Sequence, residues 1–236
     1  MKNTVIFIMC ICGFVNFSRA QLSQPKEKFT HADTLRGSLN PNRTWWDVLI
    51  YDIEVKPDYN TKTIVGRSTM KFKTIRGKNE TSDSKKFLKS LKMQIDLQSP
   101  LIIDSIIQTK YRIIGEHSSL RLDSSSKTNI KLNFNKADTN VYEVSFPDFE
   151  FLDNGNIQDS ITIYYHGKPR EAIRPPWDGG WIWKKDEQGR PWMSVACQGL
   201  GASVWYPCKD HQSDEPDNGA SLTVIVPDTL VAVGNG

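Results

Sequence analysis

Beyond its first twenty residues the 236-residue chain has no second long apolar run, no surplus of one charge sign and no convincing helical periodicity. Each absence excludes something. No later stretch approaches the ~20 apolar residues that a bilayer-crossing helix needs. Removing Lys2 and Arg19 with the leader reduces 30 basic residues to 28 against 27 acidic, a net of +1 with signs mixed along the chain. A nucleic-acid binder would carry a clustered basic excess. No Ser-His-Asp arrangement, phosphate-cradling glycine loop or paired-carboxylate pattern stands out. With no segment of ten or more residues at helical spacing, the fold is left to strands.

The leader itself is well marked. Lys2 gives a positive start, Val5 to Val15 is apolar, and Ser18-Arg19-Ala20 offers a small-x-small cleavage site. That layout predicts a signal peptide over 1–20 and an exported, periplasmic or extracellular, product with no membrane segment after cleavage. A membrane anchor is the rival, but the run is too short to span a bilayer. Two of the four cysteines leave with the leader. Cys197 and Cys208 remain, and export permits either a disulfide or two buried thiols.

Residues 21–41 are polar and unpatterned and read as a flexible lead-in to one domain over 42–236. From there the period is two. Leu49, Tyr51, Ile53 and Val55 alternate, Pro57-Asp58-Tyr59-Asn60 is turn chemistry, and Ile64, Gly66, Ser68, Met70 and Phe72 alternate again. Trp46 to Lys73 is therefore expected to be a long hairpin. A polar loop follows at 76–86. Further strands are expected at 91–97, 102–107, 111–114, 130–134, 142–146 and 161–165. The fold expected is all-β, an antiparallel sandwich or saddle-shaped sheet.

Composition changes after Arg174. Five of the seven tryptophans (Trp177, Trp181, Trp183, Trp192 and Trp205) lie between there and Asn218. Two strands are expected at 181–184 and 192–197, then a long irregular loop to Ala220, then strands at 222–226 and 230–233. Long loops in compact domains are commonly functional. Gly234-Asn235-Gly236 is hairpin-turn chemistry with no return strand after it, so the chain reads as a fragment.

The irregular loop carries the most specific pattern, Cys197-Gln198-Gly199-Leu200 and, after six residues, Pro207-Cys208-Lys209-Asp210, then Asp214-Glu215-Pro216. A Gln nine residues before Pro-Cys-x-Asp, with Glu-Pro beyond, resembles the late N-terminal-domain motif of the aminopeptidase N family of zinc metallopeptidases. The similarity extends over roughly Arg43 to Gly236, though only the loop is specific. The chain departs from that pattern in two places. Ala202 and Ser203 stand where the family has an Arg, and residues 211–214 separate Pro-Cys-x-Asp from Glu-Pro; both departures suit a divergent bacterial branch.

The resemblance implies that Gln198 reaches into a cleft and accepts a hydrogen bond from the substrate's terminal ammonium, a task an amide oxygen can perform. It also implies that this β domain packs on a catalytic domain holding zinc. That catalytic machinery is not on this chain. The family's His-Glu-x-x-His would place two zinc ligands on one helix face, and none of His31, His117, His166 and His211 starts it. Gly-x-Met-Glu-Asn is missing too. No catalytic residue, metal ligand or cofactor is therefore expected here, and the chain alone is expected to be inactive.

Three other readings compete. Gln198 could be a buried amide serving loop backbone. The tryptophans could stack on sugars, making an exported carbohydrate- or protein-binding module, or fill the core and a domain interface. Asp210, Asp214, Glu215 and Asp217 could gather a Ca²⁺, or Cys208 with His211 a softer metal, against the plainer reading of a solvated acidic loop.

Overall fold

The computed structural model describes residues 30–75, 92–114, 121–146, 158–175 and 177–235, with the side chains of 32, 111–114, 121–126 and 158 outside that description. The expected leader at 1–20 and polar loop at 76–86 fall outside the described residues. Ala32–Gly236 form one compact unit.

The period-two segments form strands, as their alternation requires. They are β1 (Trp46–Asp58), β2 (Thr63–Thr74), β3 (Met93–Asp96), β4 (Ile102–Ile114), β5 (Arg121–Asp138), β6 (Val141–Ser145), β7 (Gln158–Gly167), β8 (Gly180–Lys185), β9 (Pro191–Ala196) and β10 (Ala220–Val224). Eight of them build a single curled sheet, a half-barrel, in the order β10-β1-β2-β7-β4-β5-β6-β3. β8 and β9 form a separate hairpin. The protein is all-β, as its periodicity predicts.

Details differ from expectation where tertiary pairing decides. The 102–107 and 111–114 segments are one thirteen-residue strand, continuous through polar Gln108 to Lys110 because β5 and β7 pair along its flanks. Among the described strands of the sheet, pairing is antiparallel except that β10 runs parallel to β1, Tyr51 facing Ala220 and Val55 facing Val224. The sheet is thus mixed. Residues 230–233 form no strand; Val231 and Val233 are both exposed. β propensity without a hydrogen-bonding neighbour does not make a strand.

One face of the sheet holds the core. Ile53 and Val55 of β1, Ile64, Met70 and Phe72 of β2, Ile106 of β4 and Ile161, Ile163 and Tyr165 of β7 are buried together. Each such side chain contributes about 1.5–3 kcal/mol of hydrophobic stabilisation. Asp58 closes the β1–β2 hairpin, its Oδ1 accepting from the N–H groups of Asn60 (2.8 Å) and Thr61 (3.3 Å). Gly66 is obligatory in β2. A β-carbon there would lie 2.6 Å from the Glu54 carbonyl and 2.7 Å from the Tyr165 hydroxyl, because the tyrosine ring crosses over it.

The segment before β1 is not a featureless lead-in. It holds α1 (His31–Gly37) and α2 (Pro41–Thr44). Asn40 caps α2, its side chain accepting from the Asn42 N–H at 2.9 Å, and Pro41 supplies the first residue. Both helices are shorter than the ten-residue window in which helical spacing shows. Tertiary contacts hold them. α2 delivers Trp45 and Trp46 into the core, their indole N–H groups donating to the Lys92 and Asn42 carbonyls at 3.0 and 2.9 Å.

All four residues of β3 are buried. Met93 and Ile95 face the core, while Gln94 and Asp96 face the segment before β1 and the late loop. Among the described residues no helix is long and apolar enough to cross a membrane.

Candidate functional site: the anchored loop between β9 and β10

The loop leaves β9 at Cys197 and rejoins the sheet at β10. Its second half is tied down residue by residue. Cys208 pairs with Asp96 of β3 as an isolated antiparallel bridge, its N–H donating to the Asp96 carbonyl (3.1 Å) and its carbonyl accepting in return (2.9 Å). Burial pushes the Cys208 thiol well above the ordinary range. Cys197 is half-buried and pushed up by the same cause. Both are free thiols, which settles the question of pairing.

Lys209 is buried, and every donor it has is used inside. Its ammonium pairs with the Asp214 carboxylate, donates to the Trp46 carbonyl at 2.7 Å and sits 4.6 Å from the centre of the Trp46 ring. Its backbone N–H donates to the Tyr51 hydroxyl at 3.0 Å. A buried ammonium is tolerable only with such partners.

Asp210 completes the anchor. Its N–H donates to Asp96 Oδ2 (3.0 Å), and its own Oδ2 accepts from the Ser203 hydroxyl (2.6 Å). The carboxylate lies against Gly201, where a β-carbon would overlap it; with φ at +79°, that position needs glycine on both counts.

Asp96 is the hub. It is 2% exposed and its carboxylate accepts from the fully buried Arg43 guanidinium and from Gln94 Nε2 (2.9 Å) as well as from Asp210. Arg43 in turn donates to the carbonyls of Arg36 (2.6 Å) and Ser38 (3.2 Å), and Asn40 donates to Gln94 Oε1 (2.7 Å). One connected network therefore joins the residues before β1, the polar face of β3 and the Pro-Cys-Lys-Asp element. Sequence reasoning did not find Arg43, Gln94, Asp96 or Gln98. Alternation along 91–97 marks the even positions as solvent-facing, and nothing local says that another segment covers them.

Gln198 is placed quite differently. It is exposed, at the crest of the turn 197–200, and no side-chain hydrogen bond holds it among the described residues. The reading of Gln198 as a buried amide serving loop backbone is therefore wrong, and Gln98 fills that role instead. Gln98 is 8% exposed and donates from Nε2 to the Leu200 carbonyl (2.6 Å) and to Ser203 Oγ (2.9 Å).

The acidic residues do not converge. Asp210 faces Ser203 and Arg36, Asp214 faces Lys209, and Asp217 accepts from Lys73 Nζ at 2.6 Å. His211 is turned away from Cys208, its Nε2 toward the Gly37 carbonyl (3.3 Å) and its Nδ1 toward Ser213 (2.8 Å to the hydroxyl). Among the described residues no three His, Cys, Asp or Glu side chains are grouped to hold a metal ion.

The tryptophans divide into two sets. Trp181 and Trp183 are buried and stacked at 5.1 Å, and Trp205 is half-buried with its ring 4.6 Å from that of Tyr206. Only Trp177 (73% exposed) and Trp192 (60%) present an indole to solvent.

No family model and no curated protein matches the chain. Solved structures do. Leukotriene A4 hydrolase from Saccharomyces cerevisiae aligns with a TM-score of 0.47 and 15% identity over 88% of this chain. An M1 zinc metallopeptidase from Deinococcus radiodurans aligns with a TM-score of 0.40 and 16% identity over 80% of it. The chain spans 27% of the first protein and 34% of the second.

Proposed function

We propose that this chain is the N-terminal β domain of an exported zinc aminopeptidase, in which Gln198 accepts a hydrogen bond from the free amino end of a peptide substrate. The observation that carries the reading is an asymmetry within the motif of residues 197–216. Pro207 to Asp210 are spent on anchorage, whereas the side chain of the glutamine nine positions earlier is exposed and makes no hydrogen bond among the described residues. A side chain held out from a rigid support suits recognition, because little ordering is left to do on binding. The amide oxygen is neutral, so it can accept from an ammonium without any change of protonation.

In this reading the domain packs on a catalytic domain and walls one side of its cleft. A zinc ion held by that catalytic domain would supply Lewis-acid chemistry for hydrolysis of the first peptide bond. Among the described residues of this chain no side chains are grouped to hold a metal ion, and in this reading the metal is held by the catalytic domain. This chain's own contribution is to bind and orient.

The test is steady-state kinetics of the full-length protein with Gln198→Ala. The expected result is a loss of about 10- to 100-fold in kcat/KM on substrates with a free amino end, the scale of a lost charge-assisted hydrogen bond of about 1.5–3 kcal/mol. The melting temperature should stay unchanged, since the side chain is exposed and makes no hydrogen bond among the described residues. Unchanged kcat/KM would remove Gln198 from recognition.

A second reading rests on Trp177 and Trp192, whose exposed indoles could stack on sugar rings. It predicts retention of the domain on insoluble polysaccharide, abolished by Trp177→Ala with Trp192→Ala; the aminopeptidase reading predicts no retention.

A further inference from the structure

The turn that carries Gln198 meets a different stretch of chain at each of three consecutive carbonyls, and two of the three accept a hydrogen bond from it. The Gln198 carbonyl lies so close to Gly179, just before β8, that a β-carbon on Gly179 would be 2.8 Å from it. The Gly199 carbonyl accepts from Arg36 Nη1 of α1 at 3.2 Å. The Leu200 carbonyl accepts from the buried Gln98 amide at 2.6 Å. Inside the turn, the N–H groups of Leu200 and Gly201 both donate to the Cys197 carbonyl, at 3.0 and 2.9 Å. Gly199 at φ +71° permits that reversal.

Gln98 is the better placed of the two side chains that hold the turn. Its backbone N–H donates to the Ser203 carbonyl (2.9 Å) while its side chain reaches Ser203 Oγ and the Leu200 carbonyl. It therefore braces both ends of the 200–203 segment from the rigid end of β3. Arg36 adds a second brace, pairing with Asp210 at 3.5 Å as it reaches Gly199. Neither residue needs to approach the substrate. Both act on the backbone from which the Gln198 side chain projects.

We infer that Gln98, assisted by Arg36 of the N-terminal helix, is a positioning residue for Gln198, so that recognition of a substrate's amino end depends on the segment before β1 as well as on the loop. The inference rests on the aminopeptidase reading above. Displacement of a binding group by about 1 Å can cost up to about 100-fold in rate, and loss of the Gln98 amide frees the turn at its C-terminal side.

The decisive experiment is a double-mutant cycle on kcat/KM in the full-length protein, with Gln98→Leu, Gln198→Ala and the pair, followed by hydrogen exchange at the Leu200 and Gly201 amides. Gln98→Leu should lower kcat/KM about 10-fold or more, and the pair should be no slower than Gln198→Ala alone, because both changes remove the same contact. Exchange at Leu200 and Gly201 should accelerate. Arg36→Ala, at a partly exposed position, should repeat the pattern more weakly if Gln98→Leu does not fold. A lowered melting temperature with kcat/KM unchanged, or losses that multiply in the pair, would overturn the inference. If Gln198→Ala itself is silent, the recognition reading fails with the substrate half of the inference. The exchange measurement then decides the mechanical half, and unchanged exchange rejects it.

Discussion

Asp159 offers the sharpest quantitative test of the structure. It opens β7 next to the core, 7% exposed, where its carboxylate accepts from the Gln108 amide of β4 and from the Ser160 N–H at 2.7 Å. Burial outweighs those donors and raises its carboxyl from 3.8 to about 6. The folded chain therefore holds this proton more tightly than the unfolded chain does. Between about pH 4 and pH 6 the native state binds more protons, so stability falls as pH rises through that window and levels off above it. A shift of about two pH units at 1.36 kcal/mol each amounts to roughly 3 kcal/mol.

Asp159→Asn removes the titration while keeping the shape. Its Oδ1 can still accept from Ser160, and Gln108 can turn its own amide to present oxygen to the new NH₂. Urea unfolding of both chains from pH 3.5 to pH 8 gives a difference curve in which the shared carboxylates cancel. That difference should grow in favour of the asparagine variant by roughly 3 kcal/mol between pH 4 and pH 7 and stay flat beyond. A flat difference throughout, or one that favours aspartate as pH rises, refutes the reasoning: the Gln108 and Ser160 donors would then hold the carboxylate ionised against its burial.

Two further outcomes test the anchor of the loop. Asp96→Ala leaves the fully buried Arg43 guanidinium without its counter-charge and should cost about 3–5 kcal/mol in urea unfolding. Arg43→Met combined with Asp96→Leu should recover only part of that loss, because the Gln94 amide and the Asp210 N–H lose their acceptor on Asp96. Peptide-level alkylation of the native chain should label Cys197 slowly and Cys208 only after unfolding, in keeping with a half-buried and a buried thiol; a disulfide-linked Cys197–Cys208 peptide would contradict the structure.

The sequence alone determined that the protein is all-β and where most of its strands run. Period-two alternation is a local signal, present wherever one face of a strand meets the core. It also singled out the loop 197–216 and, through its motif, Gln198, because an unusual spacing of residue types survives in one dimension. Tertiary structure alone decided the rest. The parallel seat of β10 beside β1 and the merging of two predicted strands into β4 depend on which neighbour offers a hydrogen-bonding edge.

The anchor was hidden for the same reason. Arg43, Asp96 and Asp210 are separated by 53 and 114 residues, measured from Asp96 toward each, and each reads locally as an ordinary solvated charge. Arg43 and Asp96 are buried, and Asp210 partly so, only because the segment before β1, β3 and the loop cover one another. Whether Gln198 is a buried amide or an exposed one was decided there too: Gln98 and Gln198 are the same side chain, and only the fold turns one inward to hold the turn and leaves the other free to meet a partner.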